Sequence, residues 1–348
     1  MSDPKRVFIF GAGFSKPAGM PLANEILPLI ANNPNNIDMN TWLKSLRDRL
    51  AWLSGDPQAE ESFDLNIEKL FHYAHFDIEL HLLKHQIPHI GPSDAPWSHQ
   101  RRANQIKNWL RKLEDRLCDM IFEKENNSNL TTIARWAEFV RNDDAVLTFN
   151  YDTLVERALS DLNMPWEHGF RDDTNIPVLK MHGSIDWIIA RPHEIPRNDR
   201  FIILEEHTND SFIIRCTTRK QLGEILKSRH VFSRRIGIAG LGAYKELHRI
   251  PGLGLVWARG MRSLYQADLA IIIGFSLSDF DTMAQLQFAE VARKRQDENQ
   301  PLRVIVINPT MSPQDKDRFV RVFRQAKFIE EKHENFDWSS LDSIWKNI

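Results

Sequence analysis

Cysteine is almost missing from the chain: Cys118 and Cys216 are the only two among 348 residues. Two thiols cannot make a disulfide framework, and one chain carrying two cannot build a four-cysteine zinc site. Long apolar runs are missing as well. No stretch approaches the roughly 20 apolar residues of a membrane-spanning helix, and the opening MSDPKRVFIF has no signal-peptide core. An excess of one charge is lacking too, since 45 Lys and Arg face 47 Asp and Glu for a formal net charge of −2. A chain so balanced has no strong overall attraction to nucleic acid, and direct nucleic-acid binding is not expected. Internal repeats and low-complexity tracts are absent. Together these point to a reducing cytoplasm and leave the chemistry open.

What is present is the makeup of an ordinary globular protein, 42% hydrophobic and 26% charged. Five short β-branched runs stand out: VFIF from Val7, AVLTF from Ala145, VLKM from Val178, AIII from Ala270 and VIVI from Val304. They are apolar without alternation, which predicts strands covered on both faces, as in a parallel sheet. FIIL from Phe201 and SFII from Ser211 read as a separate hairpin with HTND as its turn. Between the first two core strands the rhythm changes. Leu43, Leu46, Leu50 and Leu53 recur at helical spacing, as do Ile106, Leu110, Leu113, Leu117 and Ile121, with NNPNN and GPSDAP as loops.

The expected fold is therefore α/β, a Rossmann-like doubly wound parallel sheet with an inserted helical module. Residues 1–30 and 141–330 form the discontinuous sheet domain and 31–140 the insertion. In the tail, 331–348, Phe336, Trp338, Leu341, Ile344 and Trp345 are too apolar to stay free, so it packs on the body or on a partner.

Chemistry is expected where these strands end. FIFGAGFSKPAGMP runs from a strand into Gly11, Ala12, Gly13, Phe14 and Ser15, a turn that can present backbone N–H groups to a phosphate. The dehydrogenase fingerprint needs a third glycine at position 16, which is Lys16, and no ribose-binding acid follows at the usual spacing. A tight strand-to-helix turn without ligand is the plain alternative. TFNYDTLVE places Asn150 and Asp152 after the second core strand, where Asn can orient a hydroxyl or water and Asp can cap the next helix. LKMHGSIDW places His182 after the third, suited to proton transfer near neutral pH. IIIGFSLSDFD breaks at Gly274 into Ser276, and VIVINPT leaves its strand at Asn308.

In this order the motifs resemble the sirtuin family, silent-information-regulator-type Rossmann proteins. GAGFSKPAGMP is similar to the family's GAG-x-S…G-I-P opening, FNYD to its Q-N-I-D, and MHG to its catalytic H-G. GFSLSDFD is similar to the G-T-S-L segment near the nicotinamide-side ribose, and VIN to the asparagine at the adenosine end. The resemblance covers the start of the chain and about 140–310. The departures are specific: no zinc cysteines, Leu22, Ala23 and Asn24 after the opening, and Phe149 where the family has glutamine.

The resemblance implies an NAD-consuming enzyme whose acyl-lysine channel is compromised. It looks like the divergent bacterial branch in which such a domain destroys NAD in anti-phage defence. It implies Asn150 and His182 as catalytic residues with Asp152 beside them. Gly11, Ala12, Gly13 and Ser15 would hold the pyrophosphate, Gly274, Ser276 and Asn308 the riboses, and Phe14 with Met20 would wall the nicotinamide pocket. NAD would be the substrate, with no zinc. The branch also implies an oligomer and a separate protein partner: a helicase-type ATPase, an Argonaute-like protein or a nucleotide-hydrolase-like subunit. The competing readings are a non-catalytic NAD or ADP-ribose sensor and, more weakly supported, a protein deacylase. His72, His75, His81, His85 and His89 lack the glutamate of a zinc helix motif and read as helix-surface residues. The basic run from Arg215 reads as solvated surface.

Overall fold

A computed structural model of the chain describes residues 4–31, 37–54, 67–86, 96–170, 175–190, 201–207, 211–216, 218, 220–221, 223–224, 235–239 and 250–346. It divides into two compact units, one of Met1–Met20, Ile121–Ala239 and Lys245–Ile348, the other centred on Pro21–Met120. All of NNPNN, all of GPSDAP but Pro96, residues 208–210 of HTND and most of the basic run from Arg215 lie outside the described residues.

The first unit is built on a seven-stranded sheet whose strands all run parallel: β1 (Arg6–Phe10), β2 (Ala145–Thr148), β3 (Trp166–Glu167), β4 (Ile176–Lys180), β9 (Leu269–Ile273), β10 (Arg303–Ile307) and β11 (Lys327–Ile329). Their order across the sheet is β11-β10-β9-β1-β2-β4-β3, with β1 at the centre, which makes the fold doubly wound α/β. All five core runs are strands of this sheet. Their unbroken apolarity has its cause in the layers, because side chains alternate between two covered faces. Val7 and Ile9 join a cluster with Leu147, Trp257 and Phe288, while Phe8 and Phe10 meet the edge of Trp136 at ring separations of 5.6 and 4.9 Å. Arg6 is the one charged residue of β1 and is buried. Its guanidinium bonds both carboxylate oxygens of Asp144, at 2.9 and 2.6 Å, and the Phe139 carbonyl at 2.7 Å.

Trp136 lies on the helix Thr131–Ala137, so this part of the segment grouped above with the insertion packs on the sheet instead. The tail joins the same unit. Phe336, Trp338 and Leu341 are buried, Arg135 donates to the Glu334 carbonyl, and Arg303 lies 4.2 Å over the Trp345 ring.

A second sheet of the first unit comprises β5 (Gly183–Ala190), β6 (Phe201–His207), β7 (Ser211–Cys216) and β8 (Arg235–Ile238), in the order β6-β7-β5-β8 with antiparallel pairing. The hairpin read from FIIL and SFII is its β6–β7 pair. The other unit holds the helices Ala23–Ala31, Ile37–Ser54 and Ile67–Gln86 and most of Pro96–Asn126. Leu46, Leu50, Ile106, Leu110, Leu113 and Leu117 are buried at their helical spacing. Trp42 and Arg49 of one helix converge on Asp77 of the next, Arg49 through a bidentate pair at 2.9 and 3.0 Å. Among the described residues no helix is long and apolar enough to cross a membrane.

Candidate functional site

The strand order fixes where a ligand crevice belongs. Chain connections run from β1 to β2 and β4 on one side and to β9 and β10 on the other, so the order reverses between β1 and β9. Ligands of open α/β sheets sit beyond the carboxyl ends of the strands at such a point. The segments leaving those ends carry the motif residues: Gly11–Ser15 after β1, Asn150–Asp152 after β2, His182 after β4, Gly274–Asp281 after β9 and Asn308 after β10.

The first and fourth of these loops are packed backbone against backbone. Gly13 donates its N–H to the Gly274 carbonyl at 2.9 Å, and Gly11 donates to Ile273 at 3.1 Å. A Cβ at Gly11 would stand 2.6 Å from the Gly274 oxygen, and one at Gly13 2.7 Å from the Gly274 Cα. Gly274 itself has φ of 61° and no room for a side chain, since its Cβ would meet the Phe14 nitrogen at 2.1 Å. The glycines thus let two loops of the protein touch, and the N–H groups of Gly11, Gly13 and Phe14 are directed at protein carbonyls. This corrects the reading of Gly11 and Gly13 as donors aimed at a pyrophosphate. Phe14 is corrected more sharply. It is fully buried, stacked on Phe10 at 3.8 Å and set edge-on to Trp136 at 5.5 Å, so it belongs to the core and cannot wall a pocket. Met20 is buried as well.

Asn150 ties the second loop to the first. Its Nδ2 donates to the Gly11 carbonyl at 2.9 Å and to Ser15 Oγ at 3.0 Å. The carbonyl can only accept, which fixes the amide's orientation. Oδ1 of Asn150 is left as an acceptor with no partner among the described residues. Ser15 is fully buried and bonds the Asp152 side chain too, so its hydroxyl serves the loop rather than an external phosphate. Asp152 also accepts the Leu154 N–H at 3.2 Å, the helix-entry role considered for it above. Burial pushes its carboxyl above the usual carboxylate range, with Lys180 opposing. Lys180, fully buried at the end of β4, donates to the Asp152 main-chain oxygen and stands 3.3 Å from Glu156 Oε1.

His182 is the second centre. Its Nε2 lies 3.2 Å from Oδ2 of Asp281, and both side chains are less than a tenth exposed. The imidazole packs against the edge of Phe149 at 4.9 Å, and Phe149 stacks on Phe275 at 4.3 Å. Asn308 Nδ2 reaches the Phe275 carbonyl at 3.3 Å, so its amide braces the fourth loop. Ser276 is exposed. In the sequence Asp281 offers only the signal of a helix cap, as an aspartate just before a helix does. Phe149 was read as a lost glutamine, whereas its ring joins His182 to the fourth loop.

A buried group of ionisable side chains lies around Asp186 on β5. His168 sits edge-on to Trp166 and Trp187 at 5.0 and 5.4 Å, and burial pushes its pKa down to about 3 despite Asp186. Burial pulls Asp186 upward, but His168, Arg215, Ser184 and Lys180 together hold it below the usual range.

No family model matches the chain, and no curated protein matches it. Among solved structures, a Sir2 homologue–NAD complex is 14% identical over 99% of this chain and 90% of that one, with a TM-score of 0.40. A structure described as the structural basis for the mechanism and regulation of Sir2 enzymes is 13% identical, covering 99% and 93%, with a TM-score of 0.40. A Sir2 homologue mutant with ADP-ribose is 15% identical, covering 99% and 92%, with a TM-score of 0.38. Likeness at this level carries no argument about the site. The α/β class rests on the strand order and direction described above.

Proposed function

We propose that the chain is an NAD+ glycohydrolase that cleaves the nicotinamide–ribose bond to give nicotinamide and ADP-ribose. The observation that carries the reading is His182, a buried imidazole paired with a carboxylate at the carboxyl edge of the sheet. A fixed asparagine in the neighbouring loop and the sirtuin-like order of motifs support it. A mere binding module has no need of a buried His–Asp pair.

In this reaction the C1′–N bond breaks with its electron pair leaving on nicotinamide, and a water oxygen bonds C1′. His182 takes the water's proton. Asn150, held by Gly11 and Ser15, offers its Oδ1 to the water or a ribose hydroxyl. The transition state is oxocarbenium-like, so positioning and charge stabilisation outweigh nucleophile strength. Asp152 keeps the Asn150 loop in place. The pyrophosphate is assigned to the half-buried rim of the first loop at Ala12, and the riboses to Gly274, Ser276 and Asn308. A constitutive NADase would harm its own cell, so the activity is assigned a latent state. The trigger is assigned to self-assembly or a protein partner on the helical unit, in keeping with anti-phage defence in the cytoplasm.

The test is chromatography of NAD incubated with purified protein, beside Asn150→Ala and His182→Ala. Nicotinamide release by the wild type, lost in both variants, is expected. ADP-ribose binding without release at any protein concentration would favour a sensor instead.

A further inference from the structure

We infer that Asp281 is a positioning residue that orients His182 and supports the proton it takes up. The inference starts from the double use of one carboxylate. Asp281 caps the helix Thr282–Asp297, with Oδ1 accepting the Ala284 N–H at 3.4 Å. Capping needs only one oxygen. The other, Oδ2, faces away from that bond and meets the imidazole Nε2 of His182 at 3.2 Å.

Both partners are held where they are. The Asp281 N–H donates to the Ser278 carbonyl at 2.8 Å, and Gln285 Nε2 donates to the carbonyls of Leu277 and Ser278 at 3.3 and 2.9 Å. Between Gly274 and Asp281 the loop passes through Leu277, fully buried with φ of 49°. A leucine rarely adopts that conformation, and it persists only where its surroundings over-determine it. On the other side, the His182 carbonyl accepts the Ala239 N–H at 2.8 Å. The next residue, Gly183, has φ of 79°, and a Cβ there would meet the Gly237 oxygen at 1.9 Å. The contact therefore joins two rigid loops and is not a chance meeting of flexible side chains.

A carboxylate can only accept, so Nε2 of neutral His182 carries the proton and the lone pair is on Nδ1. In the reaction proposed above, on which the catalytic part of this inference rests, the water's proton goes to Nδ1. The imidazolium so formed keeps its Nε2–H on Asp281, whose charge offsets it. No proton need pass to the carboxylate. Phe149, edge-on to the ring at 4.9 Å, helps exclude water from this pair.

Two measurements test the inference separately. The first is ¹⁵N–¹H correlation of the histidine rings, with His182 identified by its absence in His182→Gln. The wild type is expected to show His182 as the Nε2-protonated tautomer, and Asp281→Asn to lose that preference. A mixed tautomer in the wild type, or one unmoved by the substitution, overturns the inference whatever the chain does to NAD. The second is steady-state kinetics on NAD. Asp281→Asn is expected to lower kcat about 100-fold, within the usual range for proton-transfer catalysis, with KM changed less than about threefold. Asp281→Ser keeps a capping oxygen and removes the carboxylate, so it guards against misfolding and should lose kcat alike. If both variants keep full kcat, the positioning role fails and the hydrolase reading stands. If the wild type binds but never cleaves NAD while the tautomer is fixed, the hydrolase reading fails and the orienting contact stands.

Discussion

At the scale of single residues the site is a set of contacts between loops, and its weak points are the places with no room. Gly274 is the most constrained. Gly274→Ala adds a left-handed backbone penalty of roughly 1–2 kcal/mol to an overpacking cost of about 1–3 kcal/mol against Phe14. The expected outcome in denaturant titration is a loss of about 2–5 kcal/mol; an unchanged midpoint would show that the first and fourth loops do not touch as described. His168 gives a second residue-scale expectation, in pH. Its pKa is depressed to about 3, below the ordinary 6.5, so the stability it contributes is complete above about pH 6.5 and is lost as pH falls toward 3. Each pH unit in that window removes up to about 1.4 kcal/mol. The facing charges are Asp186, Arg215 and Lys180. Asp152 and Glu156, whose carboxyls are raised, act with the opposite sign. His168→Phe is therefore expected to flatten the acid limb of the stability curve relative to wild type. Parallel curves for the two proteins would contradict it.

At the scale of elements, the strands were legible because burial on both faces leaves an unbroken apolar run, as in Ala270–Ile273. The helical spacing of Leu46 and Leu50 was legible for a similar reason. What was hidden is tertiary. Nothing local in GSIDWIIA says that the chain turns out of the parallel sheet after His182 to start an antiparallel one. Nothing in GAGFS tells a phosphate loop from a loop whose glycines accommodate Gly274, since both need a missing Cβ. Asn150 and His182 were legible by residue type and strand-end position, but Asp281 became visible only when β9 was laid beside β1. The tail is the element whose removal tests this packing. Phe336, Trp338 and Leu341 are buried there, and three such side chains contribute about 5–9 kcal/mol on burial. That approaches the whole stability of a typical domain. Truncation after Lys332 is expected to leave a protein without a cooperative melt; an unchanged melt would place the tail off the body.

At the scale of the whole molecule, one unit carries the strand-end loops and the other is helical. The loops brace one another through Asn150 to Gly11 and Ser15, Gly13 to Gly274, Asn308 to Phe275, and His182 to Asp281. The central claim remains that this edge of the sheet cleaves NAD. The most direct measurement is the mass balance of NAD, nicotinamide and ADP-ribose over time with purified wild type and His182→Ala across a range of protein concentrations. The account predicts one nicotinamide released per NAD lost by the wild type and none by the variant. NAD that stays intact with wild type at every concentration, or is consumed equally by the variant, would contradict it.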